Sequence, residues 1–297
     1  MTFKKITLED RSIIKAFEPY VTISDHSFTT LFAWSELAGF SYGIINNYLC
    51  IAGICKKGIC IHAPIGKYDA KSYLQTMDEL YSQFKKSDGS LHIIIAREQD
   101  VPQINALSGF EITGGLTGEE RWDYIYNMDS FIKIEGKANH ERRRLLRKLT
   151  SSHECECQEI TKENVHICNE IMDDWCSRRE CSQCTMGCEK KIIEKVVSAF
   201  EPLELSGCMT KIDGVPMSFA LAEQIGNMAI IPFAKTAQAM DGLTDFTFSH
   251  LCENKYPDAE ILNLCEDEGV EGLRRFKRRV GEFSQLKKYS YILKKSQ

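Results

Sequence analysis

The chain has 297 residues and a mass of 33.9 kDa, enough for one large domain or two of about 150 residues. Hydrophobic residues make up 43 % and charged residues 27 %, which excludes a disordered or collagen-like chain and predicts a globular protein. The net charge of −5 is unevenly placed: residues 132–150 carry seven lysines and arginines against two glutamates, and residues 271–297 carry nine against two. Positive charge segregated in this way favours a polyanionic ligand, although two solvated helix faces with acidic neighbours would give the same counts.

The first half of the chain is predicted to form short strands and helices joined by polar turns. An uncharged window, Leu37–Cys55, has the length of a membrane helix, but Gly39, Gly43 and Asn46-Asn47 inside it favour a strand–turn–strand instead. The predicted elements are a strand at Phe3–Thr7, helices at Glu9–Phe17 and Phe28–Leu37, strands at Ser41–Ile45, Leu49–Ile54 and Gly58–His62, a helix at Ala70–Lys85, a strand at Leu91–Ile95, a helix at Asp100–Leu107, and strands at Phe110–Thr113 and Trp122–Tyr126.

The second half follows a basic helix within Asp129–Thr150 and repeats a similar order. The dipeptides Asp213-Gly214 and Gly226-Asn227 are typical of two-residue hairpin turns. The predicted elements are a strand at His153–Ile160, helices from Thr161 to Arg178 and at Glu189–Phe200, strands at Leu205–Ile212, Pro216–Glu223 and Met228–Phe233, a helix at Thr244–Lys255, a strand at Glu260–Leu264, a basic helix at Gly269–Val280, and a final strand or pair within Phe283–Leu293.

One element order found twice, about 150 residues apart, predicts two copies of one α+β domain. The boundary is placed so that residues 1–131 form the first domain and residues 132–297 form the second, which begins with the basic helix. The N-terminal residues lack the apolar core of a signal peptide, so a cytoplasmic location is expected.

Particular motifs resemble one protein family over nearly the whole chain. The stretch Arg121–Tyr126 with the basic run Gly136–Arg143, and the stretch Asn263–Lys277, resemble the phosphatidylglycerol lysyltransferase C-terminal domain family, as does Phe28–Trp34. The ending Gly272–Lys277 is also similar to that of Fem-type peptidyltransferases. This resemblance implies two tandem GNAT-like domains, each a mixed, mostly antiparallel sheet flanked by helices.

The best-known members of this family transfer an aminoacyl group from a charged tRNA to an amine or hydroxyl acceptor. The resemblance therefore implies an acyltransferase that uses charged tRNA, a small-molecule or lipid-headgroup acceptor, and no required cofactor. Two features depart from the family: no membrane-spanning half accompanies this sequence, and Cys265 stands where an acidic residue is frequent. Two alternatives stay open, a non-catalytic protein that binds tRNA or another polyanion, and an N-acetyltransferase that uses acyl-CoA.

The catalytic candidates are Glu266 and Asp267, which follow a predicted central strand. A carboxylate there can orient or deprotonate an attacking amine, which must be neutral to act as a nucleophile. Arg274 or Lys277 can bind a phosphate or the developing oxyanion. Asp267 also has the position of a helix N-cap, a purely structural role.

A band of cations on the basic helix is the candidate tRNA surface. Phosphates of an acceptor stem can bind such a band, and aromatic rings can stack an unpaired terminal base. The alternative is a domain-joining helix that forms salt bridges to acidic neighbours. The band consists of Arg142, Arg143, Arg144, Arg147 and Lys148, with Leu145, Leu146 and Leu149 expected to face the protein and with Trp122, Tyr124 and His140 as further substrate-binding candidates.

An acyl-CoA donor would be held by a glycine-rich turn before the helix that follows the fourth strand. The corresponding stretch Lys235–Leu243 contains one glycine, Gly242, and places Asp241 where a phosphate would bind. Acyl-CoA is thus a possible donor with a weakened site, in which Lys235 and Gly242 are the candidate contacts.

Thirteen cysteines are present, and free thiols are the expected state for most of them. The densest cluster is Cys176, Cys181, Cys184 and Cys188. Its single Cys-x2-Cys pair is a weak zinc signal, so structural thiols are favoured and no metal is expected. Cys55 and Cys60 fall in predicted strands and are interpreted as small core residues.

Overall fold

The computed structural model describes residues 2–56, 58–137, 139–178 and 188–296. The chain forms two compact units. The first consists of Met1–Trp122 together with Leu286–Gln297, and the second consists of Asp123–Gln285.

The first unit contains a seven-stranded sheet and four α-helices among its described residues. Its elements are β1 (Lys4–Lys5), α1 (Arg11–Lys15), α2 (Phe28–Trp34), β2 (Ser41–Ile45), β3 (Tyr48–Cys55), β4 (Gly58–His62), α3 (Ala70–Phe84), β5 (Leu91–Arg97), α4 (Val101–Asn105), β6 (Phe110–Leu116) and β14 (Lys288–Lys295). The uncharged window thus forms strands, as predicted, and no described helix is long and apolar enough to span a bilayer.

Local sequence explains the longest helix of this unit, α3. The Asp69 carboxylate accepts a hydrogen bond from the Ser72 backbone N–H and so caps the first turn. The buried face is built from Tyr73, Met77 and Leu80, which recur at helical spacing and join the core between helix and sheet.

The second unit contains a second seven-stranded sheet. Its elements are β7 (Asp123–Asn127), α5 (Met128–Lys133), α6 (His140–Ser152), β8 (Cys155–Glu159), α7 (Ile167–Ser177), α8 (Glu189–Ser198), α9 (Phe200–Leu203), β9 (Ser206–Ile212), β10 (Val215–Ile225), β11 (Met228–Thr236), α10 (Leu243–Lys255), β12 (Ile261–Asn263), α11 (Glu271–Arg279) and β13 (Ser284–Leu286). The predicted single basic helix is in fact two, α5 and α6, because Ile134 and Gly136 adopt left-handed backbone conformations between them.

The two sheets have the same strand order. The first runs β1-β2-β3-β4-β5-β14-β6, and the second, taken from its other edge, runs β8-β9-β10-β11-β12-β7-β13. The fourth and fifth strands of each sheet, β4 with β5 and β11 with β12, are parallel, whereas the strand pairs before them are antiparallel. This repeated arrangement confirms the predicted mixed, mostly antiparallel sheet.

The predicted contiguous domains differ from the observed units because the two sheets exchange strands. β7, predicted to close the first half, pairs with β12 in the second sheet. β14, predicted to end the second half, pairs with β5 and β6 in the first. Alternating apolar residues predict that a strand exists, but they do not specify which sheet it joins.

Two pairs of cysteines are disulfide-bonded, which corrects the expectation of free thiols for these four residues. Cys55 and Cys60 are joined across the β3–β4 hairpin, and Cys157 and Cys208 are joined across β8 and β9. The correction is physical: neighbouring strands of a sheet bring cysteine Cα atoms to the separation that a disulfide needs.

Candidate active site

The candidate site lies in the second unit, at the carboxyl end of β12. The parallel pairing of β11 with β12 ends at Ile230 and Asn263, while β11 continues to Thr236. Beyond this point the two strands are no longer paired, and the chain after β12 forms a tight turn. Carboxyl ends of parallel strands are common places for ligands to bind.

Side-chain hydrogen bonds fix the turn after β12. The Asn263 amide oxygen accepts from the Cys265 backbone N–H at 2.7 Å, and its amide nitrogen donates to Asp123 Oδ2 at 2.9 Å. The backbone of Tyr124 exchanges hydrogen bonds with Leu264 and Cys265 at 2.9 and 3.0 Å. Cys265 has a φ of 59°, which is unusual for a residue other than glycine and reverses the chain direction sharply.

Asp267 is a buried anchor of this turn. Its carboxylate accepts hydrogen bonds from Tyr124 Oη at 2.8 Å, from the Gly269 backbone N–H at 2.8 Å, and from Arg274 Nε and Nη2 at 2.8 and 2.9 Å. Burial alone would raise the pKa of Asp267, but the donors from Arg274, Gly269 and Tyr124 hold the pKa below its ordinary value. A carboxylate bound in this way suits positioning of the turn better than acceptance of a proton.

Lys277 is a second buried anchor. Its ammonium donates to the backbone carbonyl of Glu266 at 2.6 Å and to that of Cys265 at 3.2 Å. Burial lowers the pKa of Lys277, against the opposing influence of nearby Cys265, Asp123, Glu266 and Asp267. Because its donors hold backbone carbonyls, Lys277 fixes the direction of the Glu266 backbone.

Glu266 is the more accessible of the two predicted catalytic carboxylates. Its side chain is half-buried, and a carboxylate oxygen lies within 4.8 Å of one from the fully buried Asp123. Two carboxylates this close favour a proton on one of them, a condition used by groups that exchange protons. The geometry therefore brings Glu266 and Asp123 together as the groups best suited to proton transfer.

The two predicted stacking residues lie in different units. The Tyr124 ring is fully buried and lies 5.1 Å from the Phe283 ring, centroid to centroid, and its hydroxyl holds Asp267. Trp122 is the last residue of the first unit's longer segment, and its indole N–H donates to Thr117 Oγ1 at 3.2 Å. Tyr124 thus has a geometry suited to positioning Asp267, and Trp122 is the partly exposed ring of the two.

Arg142 does not belong to an exposed basic band, which corrects the prediction. Its side chain is 0 % exposed, and its guanidinium donates to the carbonyls of Phe131 and Val280 and to Ser249 Oγ, with Asp245 at 3.3 Å. Burial lowers the pKa of Arg142 to about 10, although Asp245 acts in the opposite direction. Arg142 thereby joins α5, α6, α10 and the end of α11, and the prediction failed because a string of arginines gives no sign of which one faces inward.

The other cations of α6 differ in their availability to a ligand. Arg143 donates to the backbone carbonyls of Ile134 and Gly136. Arg144 pairs with Glu141 at 2.6 Å, and Lys148 approaches Asp241 at 3.3 Å. Arg147 is exposed and forms no ion pair within the described part of the chain, and His140 is exposed at the start of α6. Leu145 and Leu149 are buried, as predicted.

The region predicted to hold acyl-CoA is closely packed. Lys235 lies on β11, where its ammonium pairs with Glu189 at 2.7 Å and lies 5.0 Å from the Trp175 ring centroid. Gly242 precedes α10 with a φ of 84°, and a Cβ atom added there would lie 2.8 Å from the Leu145 carbonyl oxygen of α6. The start of α10 is therefore in direct contact with α6.

The cysteine cluster is only partly within the described residues. Cys181 and Cys184 lie outside them, and neither Cys176 nor Cys188 forms a disulfide with another described residue.

Comparison with known proteins identifies the family. The model of the family described as "Phosphatidylglycerol lysyltransferase, C-terminal" matches residues 20–284. The chain belongs to this family. No curated protein matches the sequence.

Solved structures confirm the fold. A conserved protein of unknown function from Bacteroides thetaiotaomicron VPI-5482 is 22 % identical, with a TM-score of 0.88 over 99 % of this chain and 100 % of that one. FemX is 11 % identical, with a TM-score of 0.64 over 98 % and 97 %. A tandem GNAT protein from the clavulanic acid biosynthesis pathway is 7 % identical, with a TM-score of 0.50 over 99 % and 98 %. At these identities the likeness establishes the tandem GNAT fold alone.

Sequence reasoning missed three residues of the site region. Asp123 and Asn263 lie inside the two stretches that carried the family resemblance, so their place in those motifs was the available signal. Asp245 offered no comparable signal, because a carboxylate in an amphipathic helix ordinarily faces solvent.

Proposed function

We propose that this protein transfers an aminoacyl group from a charged tRNA to an amine or hydroxyl acceptor at the carboxyl end of β12. The family and its acyltransferase-type fold set the reaction class. The observation that carries the proposal is the half-buried Glu266 carboxylate beside Asp123, on a turn fixed by Asp267 and Lys277. A proton acceptor held rigidly is what attack by an amine or hydroxyl requires.

The proposed step is a direct transfer. The acceptor nitrogen or oxygen attacks the carbonyl carbon of the aminoacyl ester, and the C–O bond to the terminal ribose breaks as the new bond forms. Glu266 takes the proton that the acceptor loses and returns it to the departing ribose oxygen, so no proton is gained or lost overall. Asp123 keeps a negative charge beside Glu266 and so raises its affinity for the proton in transit.

Charged tRNA is favoured over acyl-CoA as the donor by the environment of the α10 N-terminus. A GNAT enzyme that uses acyl-CoA needs open backbone N–H groups there for the pyrophosphate. Here Gly242 is in contact with the α6 backbone, and Asp241 and the buried Asp245 place negative charge in the same turn. An incoming pyrophosphate would meet both steric and electrostatic opposition.

Transfer of label from tRNA tests the proposal. Bulk tRNA charged with radiolabelled amino acids is incubated with the protein and either phosphatidylglycerol vesicles or a mixture of small primary amines, and label in the acceptor is measured. A parallel reaction with acetyl-CoA measures the release of free thiol. We expect label transfer to one acceptor class, and no thiol release above the buffer control.

Matched variants assign the chemistry. Glu266→Gln removes the proposed proton acceptor, whereas Glu271→Gln makes the same charge change at an exposed position on α11. Transfer lost only in Glu266→Gln supports the proposal. Binding of tRNA without transfer to any acceptor would instead favour the non-catalytic alternative, and thiol release would favour acyl-CoA.

A further inference from the structure

A cavity of about 240 Å³ lies in the second unit, away from the turn after β12. It is bordered by the carboxyl end of β7, by α5, by the segment between α5 and α6, and by the residues that follow α11. Since β7 is antiparallel to β12, Tyr126 of this cavity lies beside Leu262, whereas the candidate active site begins at Asp123. The cavity is therefore a separate feature of the same unit.

A buried polar atom without a partner faces this cavity. Asn139 is 5 % exposed, and its amide nitrogen donates to the Glu135 carbonyl at 2.9 Å. This bond fixes the orientation of the amide, because the reverse orientation would set two oxygens against each other. Asn139 Oδ1 then has no hydrogen-bond partner among the described residues, a costly state for a buried acceptor.

The surroundings of Asn139 keep this oxygen directed at open space. Asn139 is the N-cap residue of α6, but its side chain makes no capping hydrogen bond, so the helix does not use the oxygen. Gly281 lies opposite, and a Cβ atom added there would stand 3.7 Å from Asn139 Oδ1. The absence of a side chain at Gly281 leaves room for a donor to reach the oxygen.

Charge and ring surfaces define what can bind. The carboxylates of Glu135 and Glu282 and the single ammonium of Lys137 line the cavity, giving it a net negative lining, and the rings of Phe131 and Tyr126 form an apolar wall. An N–H donor with a positive charge and a short apolar body matches all of these groups. The volume is below the range of about 300–1,000 Å³ typical for drug-sized ligands, so the ligand is small.

We propose that this cavity is a binding site for a small primary ammonium compound, whose N–H groups donate to Asn139 Oδ1 and whose charge is balanced by Glu282 and Glu135. The site stands on its own geometry and does not depend on the transfer reaction proposed above.

Binding of n-butylamine, which is an ammonium ion at pH 7, tests the proposal against the uncharged 1-butanol. Titration of the full chain by calorimetry is expected to show saturable, one-to-one binding of n-butylammonium, at least about tenfold tighter than that of 1-butanol. Glu282→Gln should weaken binding about fivefold and Asn139→Leu about tenfold, consistent with the loss of a charge-assisted hydrogen bond. Glu156→Gln, an exposed change on β8, is the control and should leave binding unchanged.

Several outcomes would overturn the site. Equal binding of 1-butanol, absence of n-butylammonium binding up to 50 mM in the wild type (about the limit of a useful affinity), or an unchanged affinity in Glu282→Gln would each do so. Tight binding of inorganic phosphate that excludes n-butylammonium would mean that the start of α6 governs the cavity as an anion site. Glu282 is exposed, so the Glu282→Gln result stands even if Asn139→Leu does not fold.

Discussion

The parallel strand pairs of the two units occupy the same place in the same strand order, yet different chemistry surrounds them. In the first unit, Arg97 ends β5 and is 3 % exposed, and its guanidinium binds Asp100 through Nε and Nη2 at 2.8 and 2.7 Å. In the second unit, Arg274 binds Asp267 in the same two-pronged way, but the side chain of Arg274 is 32 % exposed.

The neighbours of these two ion pairs differ most. The fourth strand of the first unit ends at His62, whose ring lies 5.3 Å from that of His26, and both histidines are buried without hydrogen-bond partners for any ring nitrogen among the described residues. The corresponding turn of the second unit brings together the carboxylates of Asp123 and Glu266. One copy of the repeat thus closes the strand end with neutral, buried groups, and the other keeps charge near the surface.

Breaking the two ion pairs should have the largest effect and should separate the two units. Arg97→Met leaves the fully buried Asp100 without its partner, and we expect a loss of about 3–5 kcal/mol in the free energy of unfolding. Arg274→Met should cost about 1–2 kcal/mol, because Asp267 keeps its Tyr124 and Gly269 donors and solvent reaches the site. Urea denaturation measures both, and equal losses would contradict the contrast between the units.

Replacing the accessible carboxylate should affect chemistry and not stability. For Glu266→Gln we expect the rate of label transfer in a single turnover to fall about 100-fold or more, the contribution typical of a general base. The melting temperature should stay within a degree or two, because Lys277 holds the backbone carbonyl of Glu266 and not its side chain. A transfer rate within threefold of wild type would rule out Glu266 as the proton acceptor.

The buried histidine pair should make the first unit sensitive to acid. Burial lowers the pKa of His62 to about 3, with Arg121 and Lys288 acting in the same direction, and burial lowers the pKa of His26 as well, with His62, Arg97 and Lys288 adding to it. The unfolded chain takes up these protons below its ordinary pKa of about 6.5, while the folded chain does not. Stability from this pair is therefore complete above pH 6.5 and is lost as the pH falls toward 3.

A variant isolates this pH effect from that of other groups. Each histidine should lower the free energy of unfolding by about 2 kcal/mol between pH 7 and pH 5. His62→Phe, a substitution of similar shape, should remove one such contribution, whereas His166→Gln at an exposed position should not. The measurement is urea denaturation at pH 7 and pH 5, and the same pH dependence in wild type and His62→Phe would contradict the assignment.

The smallest effect is expected on the surface of α6. Arg147→Ala should weaken binding of charged tRNA about two- to fourfold and reduce the slope of log K against log salt by about one, because Arg147 is free to contact a phosphate. Arg144→Ala, which breaks an ion pair with Glu141, should have less effect on binding. Filter binding at two salt concentrations distinguishes these variants, and unchanged affinity for Arg147→Ala would remove α6 from the tRNA surface.

Short-range signals predicted much of the fold. Asn46-Asn47 and Asp213-Gly214 adopt positive φ angles in hairpin turns, as their sequences indicated. The spacing of Arg142, Leu145 and Leu149, at i, i+3 and i+7, places all three on one helix face, so periodicity held the information that Arg142 is buried. Its charge outweighed that signal in the prediction.

Long-range features could not be obtained in the same way. The partners of β7 and β14 are chosen by packing between distant segments, and neither strand differs in composition from one that stays with its neighbours. The candidate site has the same character: the nearness of Glu266 to Asp123 depends on the pairing of β7 with β12, which brings together residues more than 130 positions apart. The order of residues named the motifs, and only the sheet placed them side by side.

The strand exchange has a consequence for synthesis on the ribosome. The first sheet needs β14 between β5 and β6, so Leu91 must wait for Leu293 before its pairing is complete. All strands of the second sheet have emerged earlier, so the second unit can finish folding while the first still exposes two strand edges to the cytosolic or other surrounding chaperones. Vectorial translation therefore favours completion of the unit encoded second, which reverses the usual N-to-C order of domain folding.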